Sequence, residues 1–320
     1  MKKTRIFAFA AVLLFLFPVF TACAPKAGFA KSNGISIVST VFPSYDFARQ
    51  ITAGTNANVV MLLQPGEEVH AFDPTSQDVI RVQSADLFLY VGGENDAWVE
   101  NILSGLDKNV HTFKMMDYVT LYEEELVEGM QPEEEIKTEE TAEAAEWDEH
   151  VWTAPVNAIS IVKAMTSELC SVDPANATAY QTNSDAYVKQ LEALDQSFWS
   201  VVNAAPRKTV VFADRFPVRY FVEEYGLNYY AAFPGCSAET EPSAATVATL
   251  IDHVKSEHIP YVFYIEMSNQ QMADTVCEAT GAQKLLFHTC HNITKAEFES
   301  GATYLSLMQN NVLALQNALG

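Results

Sequence analysis

Apolar runs and helical periodicities alternate along most of the chain. "ISIVSTVF" (35–42) is a β-rich run, "PSYDFARQIT" opens a helix, and "NVVMLL" (58–63) is the next strand. "TSQDVIRVQSA" carries Val79, Ile80 and Val82 at helical spacing, and "DLFLYVGG" (86–93) is a strand ending in a glycine pair. The second half repeats the rhythm. "TVVFA" (209–213), "NYYAAF" (228–233), "YVFYIE" (261–266) and "KLLFH" (284–288) read as strands. Helices around "RYFVEEYG", over 243–257 and over 269–280 separate them, the last stopped by Gly281. Short apolar strands alternating with helices predict βα units and parallel pairing. The expected fold is α/β: two lobes, each with a mainly parallel sheet flanked by helices.

A different pattern joins the halves. From Asp173 to Ala205 the chain has Pro174 in its first turn, no glycine, and Tyr180, Tyr187, Leu191, Leu194 and Phe198 at helical spacing. This predicts one stiff helix of about thirty residues, roughly 45 Å at ~1.5 Å per residue. The domain reading is therefore a first lobe at 34–172, a linking helix at 173–205 and a second lobe at 206–320.

The first residues follow a separate logic. Lys2, Lys3 and Arg5 precede an apolar stretch from Ile6 to Phe20, with small residues up to Cys23. That is the layout of a signal peptide, residues 1–23. The ending "FTAC" resembles a bacterial lipobox, which implies lipidation of Cys23 and anchorage to the membrane. Residues 24–33 read as a flexible tether. The expectation is an exported protein at the cell surface or in the periplasm. There the other cysteines, Cys170, Cys236, Cys277 and Cys290, are free to pair, in connectivities that the sequence does not choose among. Cys170 and Cys277 fall at helical positions and read as buried thiols.

Composition narrows the partners. The 320 residues, 49% hydrophobic, suffice for about two domains. The formal charge, 19 − 41 = −22, is unfavourable for a nucleic-acid partner, which needs clustered Lys and Arg, and points to a cation. Thirteen acidic residues lie between Glu123 and Glu149 beside a single lysine. Such a block reads as a solvated loop, compatible with gathering cations near a binding site. Two histidines follow acids and precede proline turns: His70 in "GEEVHAFDP" and His150 in "WDEHVWTAP".

These motifs carry a resemblance. "LLQPGEEVHAFDPTSQDVIRVQSADLFLYVGG", "DEHVWTAPVNA", the long helix, "SAETEPSAATVATLIDHVKSEHIPYVFYIE" and "TYLSLMQNNVLALQNAL" resemble the solute-binding lipoproteins of metal-ion ABC importers, the zinc- and manganese-binding proteins built as two α/β lobes on one rigid helix. The resemblance covers nearly all of the chain after its leader. It implies a divalent ion held in the interlobe cleft and passed to a permease and its ATPase, with no catalysis. It implies His70 and His150 as ligands, a third at Asp214 in "ADRFP", and a fourth carboxylate at Glu266 or in the following "MSNQQ" loop. The chain departs from the family at the third and fourth motifs, since "ADRFP" lacks the usual "SHxAF" spelling. A disulfide between Cys236 and Cys290 resembles one found in some zinc-binding members.

Two imidazoles and two carboxylates suit a transition metal and make a formally neutral, buriable site. Zinc is favoured over manganese by the general affinity order, with manganese the alternative cargo. His288 and His291 in "FHTCHNI" follow a strand end and are candidates for an accessory metal role. His111, His253 and His258 read as solvent-facing. A monomer is expected. An exported metallohydrolase is the rival reading, but the sequence contains no HExxH, GxSxG or P-loop spacing.

Overall fold

Ile37 and Leu89, both fully buried, lie on neighbouring strands at the centre of a parallel sheet in the first half of the chain. The computed structural model describes residues 34–68, 72–105, 110–130, 146–235, 237 and 242–320. The leader with Cys23, the tether, His70, the middle of the acidic loop (131–145) and Cys236 lie outside the described residues.

Strands β1 (Ser36–Ser39), β2 (Asn58–Met61), β3 (Leu87–Tyr90) and β4 (His111–Lys114) form a sheet of order β2-β1-β3-β4, all parallel. Helices α1 (Phe42–Thr52), α2 (Ser76–Ser84) and α3 (Ala97–Ser104) make the crossovers. The second lobe repeats this plan. β5 (Thr209–Phe216), β6 (Asn228–Pro234), β7 (Tyr261–Tyr264) and β8 (Gln283–Leu286) take the order β6-β5-β7-β8, again parallel. Helices α6 (Arg219–Tyr225), α7 (Ala244–Ser256) and α8 (Gln271–Thr280) intervene. Strands covered on both faces need near-continuous apolar runs, as in "LFLY" and "TVVF". In such sheets the binding loops gather beyond the carboxyl ends of the strands, at the point where strand order reverses. Here those points fall between β1 and β3 and between β5 and β7.

α4 (Pro155–Val172) packs within the first lobe and against α5 (Ala177–Ala204), the 28-residue helix that links the lobes. Asp173 starts α5 by accepting hydrogen bonds from Asn176 and from the Tyr180 hydroxyl, both at 2.7 Å. Tyr180, Tyr187, Leu191, Leu194, Phe198 and Val202 line its buried face. Burying each such side chain is worth about 1.5–3 kcal/mol, so the helix is held by packing along its whole length. One apolar core runs from Ile37 in β1 through α5 to Leu319 in the last helix, α10 (Tyr304–Leu319). α10 packs back on α5 and is tied to the first lobe: Tyr304 N–H donates to Asp46 (2.9 Å), and its hydroxyl to Trp152 O (2.7 Å). A short α9 (Lys295–Ser300) precedes it.

Several sequence readings need adjustment. β1 ends at Ser39, because Pro43 sits in the first turn of α1 and the chain has already turned at Val41. β4 and α3 carried no clear signal; β4 exposes His111 and Thr112 and buries only Phe113. Cys170 and Cys277 are half-buried rather than buried. His253 is half-buried against Tyr230, with ring centroids 3.6 Å apart, whereas His111 and His258 are exposed as expected.

Candidate metal centre

His150 is delivered by a short antiparallel ribbon. Glu123 bridges Trp147, Glu124 N–H donates to Glu146 O (2.9 Å), and Asp148 N–H donates to Tyr122 O (3.0 Å). The described ends of the acidic segment are thus pinned together one step before the histidine. The chain then turns through Val151–Thr153 into α4, with Thr153 N–H returning to His150 O at 3.1 Å.

The ring of His150 is wholly buried. Asp148 Oδ1 accepts from the His150 main-chain N–H (2.8 Å) and lies 3.1 Å from Nδ1. A carboxylate in that position places the ring proton on Nδ1 and leaves the lone pair on Nε2. Among the described residues Nε2 has no hydrogen-bond partner. A buried nitrogen with an unengaged lone pair is costly unless something occupies it. Burial opposes protonation of this ring, but Asp148, Glu149 and Glu124 outweigh it and hold the imidazolium above the ordinary histidine range.

His291 meets His150 edge to face, with ring centroids 4.9 Å apart at 86°. Trp152 packs against both rings, at 5.6 and 5.1 Å. The turn carrying His291 follows β8 and is built around Glu266. Glu266 accepts from Thr289 N–H (2.8 Å), the Thr289 hydroxyl (2.5 Å) and His291 N–H (3.1 Å). Trp152 Nε1 donates to Thr289 O at 2.8 Å. Within the turn Cys290 adopts φ +62°, in the left-handed region, and its N–H donates to His288 Nδ1 at 3.0 Å. Backbone strain of this kind gathers at functional sites. His288 is fixed to α10 by paired bonds with the Asn311 amide, 2.8 and 2.7 Å. Burial disfavours its charge, but Glu266 and Glu297 hold it above the usual range.

The loop that leads into His70 approaches the same turn. Asn292 Nδ2 donates to Gln64 O and Glu67 O, each at 2.8 Å, and Gly66 N–H donates to Ile293 O at 2.8 Å. Glu68 and His291 line one small cavity; Phe72 and His291 line another. Both residues flanking 69–71 therefore border space shared with His291.

Asp214 and Glu266, expected as the third and fourth ligands, are engaged with main-chain donors. Asp214 takes Arg215 N–H (2.9 Å) and Ile265 N–H (3.3 Å), filling the irregularity in β5 between Phe212 and Arg215, and burial raises its pKa. Glu266 shapes the His291 turn while bordering the same cavity as His291. No group of three His, Cys, Asp or Glu suited to a metal occurs among the described residues, which do not include His70. What the fold does assemble is His150 with His291. Cys290, expected to pair with Cys236, is a free and wholly buried thiol. Arg215, which the sequence reading passed over, reaches from the second lobe to Glu68 with contacts of 3.0 and 3.4 Å.

Comparison with known proteins agrees with this architecture. The model of the zinc-uptake complex component A, periplasmic, matches residues 37–318. The zinc-binding lipoprotein AdcA of Streptococcus pneumoniae is 31% identical over 318 residues, 99% of this chain and 61% of that protein, so the chain spans about three fifths of such relatives. The high-affinity zinc uptake system protein ZnuA of Bacillus subtilis is 28% identical over 323 residues, covering 99% of this chain and 98% of that one. The crystal structure of the Zn(II)-bound ZnuA-like domain of S. pneumoniae AdcA superposes with a TM-score of 0.73 at 30% identity, over 89% of this chain and 99% of that domain. With a match that runs through both lobes and the linking helix, the chain belongs to the family of the periplasmic component A of zinc-uptake complexes.

Proposed function

We propose that this protein is the extracytoplasmic solute-binding component of an ABC importer, capturing one zinc ion between its lobes and handing it to a membrane permease driven by an ATPase. The observation that carries this reading is the ring contact between buried His150 and half-buried His291, with His150 Nε2 unengaged among the described residues. His70 is the third imidazole of the set, its flanks bordering cavities shared with His291. Glu266 orders the turn that carries His291, and Asp148 orients His150. Asp214 is a structural carboxylate between β5 and β7.

Imidazole ligands favour zinc over manganese, which prefers carboxylate and carbonyl oxygen. The two charges of the cargo are balanced by Asp148 and Glu266, both buried, so burial does not leave an uncompensated charge. The single core through α5 and α10 favours slight adjustments of loops and lobe tilt over a wide hinge closure. The family serves metal uptake, which supports a carrier rather than a metallohydrolase. Export follows the leader, with Cys23 as the lipid anchor, and the carrier works as a monomer beside its permease.

Metal content after exposure to equal zinc and manganese tests this. One zinc per chain, bound and removed reversibly by a chelator while the protein stays folded, is the expected result. Bound manganese, no metal, or unfolding on chelation contradicts it.

A further inference from the structure

The first lobe presents its two histidine loops behind glutamates, and the second lobe meets both with arginines four positions apart. Arg215, at the end of β5, pairs with Glu68, two residues ahead of His70 in the sequence. Its side chain is one-tenth exposed, and both forked nitrogens reach the carboxylate, at 3.0 and 3.4 Å. Arg219, at the start of α6, lies 3.1 Å from Glu125 and over the ring of Tyr122 at 5.8 Å. Tyr122 to Glu125 form the ribbon whose other side carries Asp148, the partner of His150 Nδ1. Second-lobe tyrosines reinforce this arm: Tyr229 donates to Glu125 at 3.3 Å and Tyr220 to Asp148 O at 2.8 Å. These are the two Arg–Glu pairs that cross between lobes among the described residues.

We propose that Arg215 and Arg219 are positioning residues that brace the two first-lobe segments leading into His70 and His150 against the second lobe, and so set how long the captured ion stays in the cleft. This rests on the zinc-carrier reading above. For the ion to leave, a histidine loop has to move away from the opposite lobe, and each brace resists that movement for one loop. Neither arginine touches the ion, so the number of ions bound per chain is set elsewhere. The glutamates are half exposed, 43% for Glu68 and 50% for Glu125, so water and salt weaken the pairs. The forked geometry of Arg215 is the part that a lysine cannot reproduce.

The test is the rate at which the zinc-loaded protein releases its ion to an excess of a chromophoric chelator, at low and high salt. Arg215→Gln and Glu68→Gln should each speed release by about fivefold, and the double variant should be no faster than either, because both remove one contact. Arg215→Lys should fall between wild type and Arg215→Gln. Added salt should hasten release from the wild type, and do so less in Arg215→Gln, which keeps only the Arg219–Glu125 pair. Arg219→Gln should contribute its own factor, multiplying that of Arg215→Gln, because it holds a different segment. Glu68→Gln alters a half-exposed side chain and keeps the test open if Arg215→Gln folds poorly. Wild-type release rates in both single variants, or multiplying effects of Arg215→Gln and Glu68→Gln, overturn the proposal. A wild-type protein that binds no zinc overturns the carrier reading as well.

Discussion

The rings of His150 and His291 stand edge to face with centroids 4.9 Å apart, one delivered by the loop before α4 and the other by the turn after β8. Neither ring can be displaced without disturbing the other or Trp152, which packs on both. The candidate site is therefore a product of the tertiary fold, and the placement of its rings depends on the residues that hold them.

Asp148 is the first of these. Its Oδ1 lies 3.1 Å from His150 Nδ1, a position that favours a proton there and leaves Nε2 as the nitrogen for an ion. Asp148→Asn should weaken zinc binding by about 10- to 100-fold, the usual effect of losing such a partner, while leaving thermal stability near that of wild type. Competition titration against a chelator of known affinity measures it. Unchanged affinity would mean that the ring is oriented by other contacts.

Gly235 sets a steric limit. A Cβ there would stand 3.1 Å from His150 Cε1 and 3.0 Å from Phe216 O and Pro217 Cα. Backbone on one side cannot yield easily, so the imidazole is the part that shifts. Gly235→Ala should fold but bind zinc about tenfold more weakly, because a few tenths of an ångström misplace a ligand whose bonds are fixed to within about 0.2 Å. Wild-type affinity in this variant would show that the ring has room to spare.

The apo protein should carry a pH dependence from Asp96. Burial raises its carboxyl from 3.8 to about 7, although it accepts from Val91 and Gly92 N–H. Across that window the unfolded chain loses this proton while the folded chain keeps it, so stability falls as pH rises from about 4 to about 7 and then levels off. Asp96→Asn removes this contribution. In denaturant unfolding, the variant should gain on wild type between pH 5 and pH 7, by up to about 1.4 kcal/mol per pH unit. A constant difference at the two pH values would contradict the assignment.

The continuous core makes a prediction about shape. Because α5 and α10 pack into both lobes through one apolar cluster, zinc binding should leave the solution scattering profile nearly unchanged. A large compaction on loading would show that the lobes swing. Leu191→Ala, at a fully buried position of α5, should cost about 2–5 kcal/mol of unfolding stability by opening a cavity in this core.

Much of this fold was legible in the sequence, and the exceptions have physical causes. Strands such as Leu87–Tyr90 are covered on both faces and write themselves as unbroken apolar runs, and α5 shows its buried face at helical spacing. β4 exposes His111 and Thr112, so only Phe113 carries a signal. His150 was legible as a candidate because its turn, acids and following helix are local. His291 was legible only as a histidine near a strand end, since what gives it meaning is a ring contact with the other lobe. Asp214 is expected as a ligand from the family resemblance; in the fold its carboxylate accepts from Arg215 N–H and Ile265 N–H beside the irregularity between Phe212 and Arg215. Nothing in the local sequence encodes that register shift, or the reach of Arg215 to Glu68.

The most direct test is the zinc affinity of His150→Ala, His291→Ala and Asp214→Asn measured side by side with wild type. The account predicts that both histidine variants lose tight binding of the single ion, while Asp214→Asn, where folded, keeps it. Tight binding retained in His291→Ala and lost in a folded Asp214→Asn would contradict the account and return the third ligand to the carboxylate in β5.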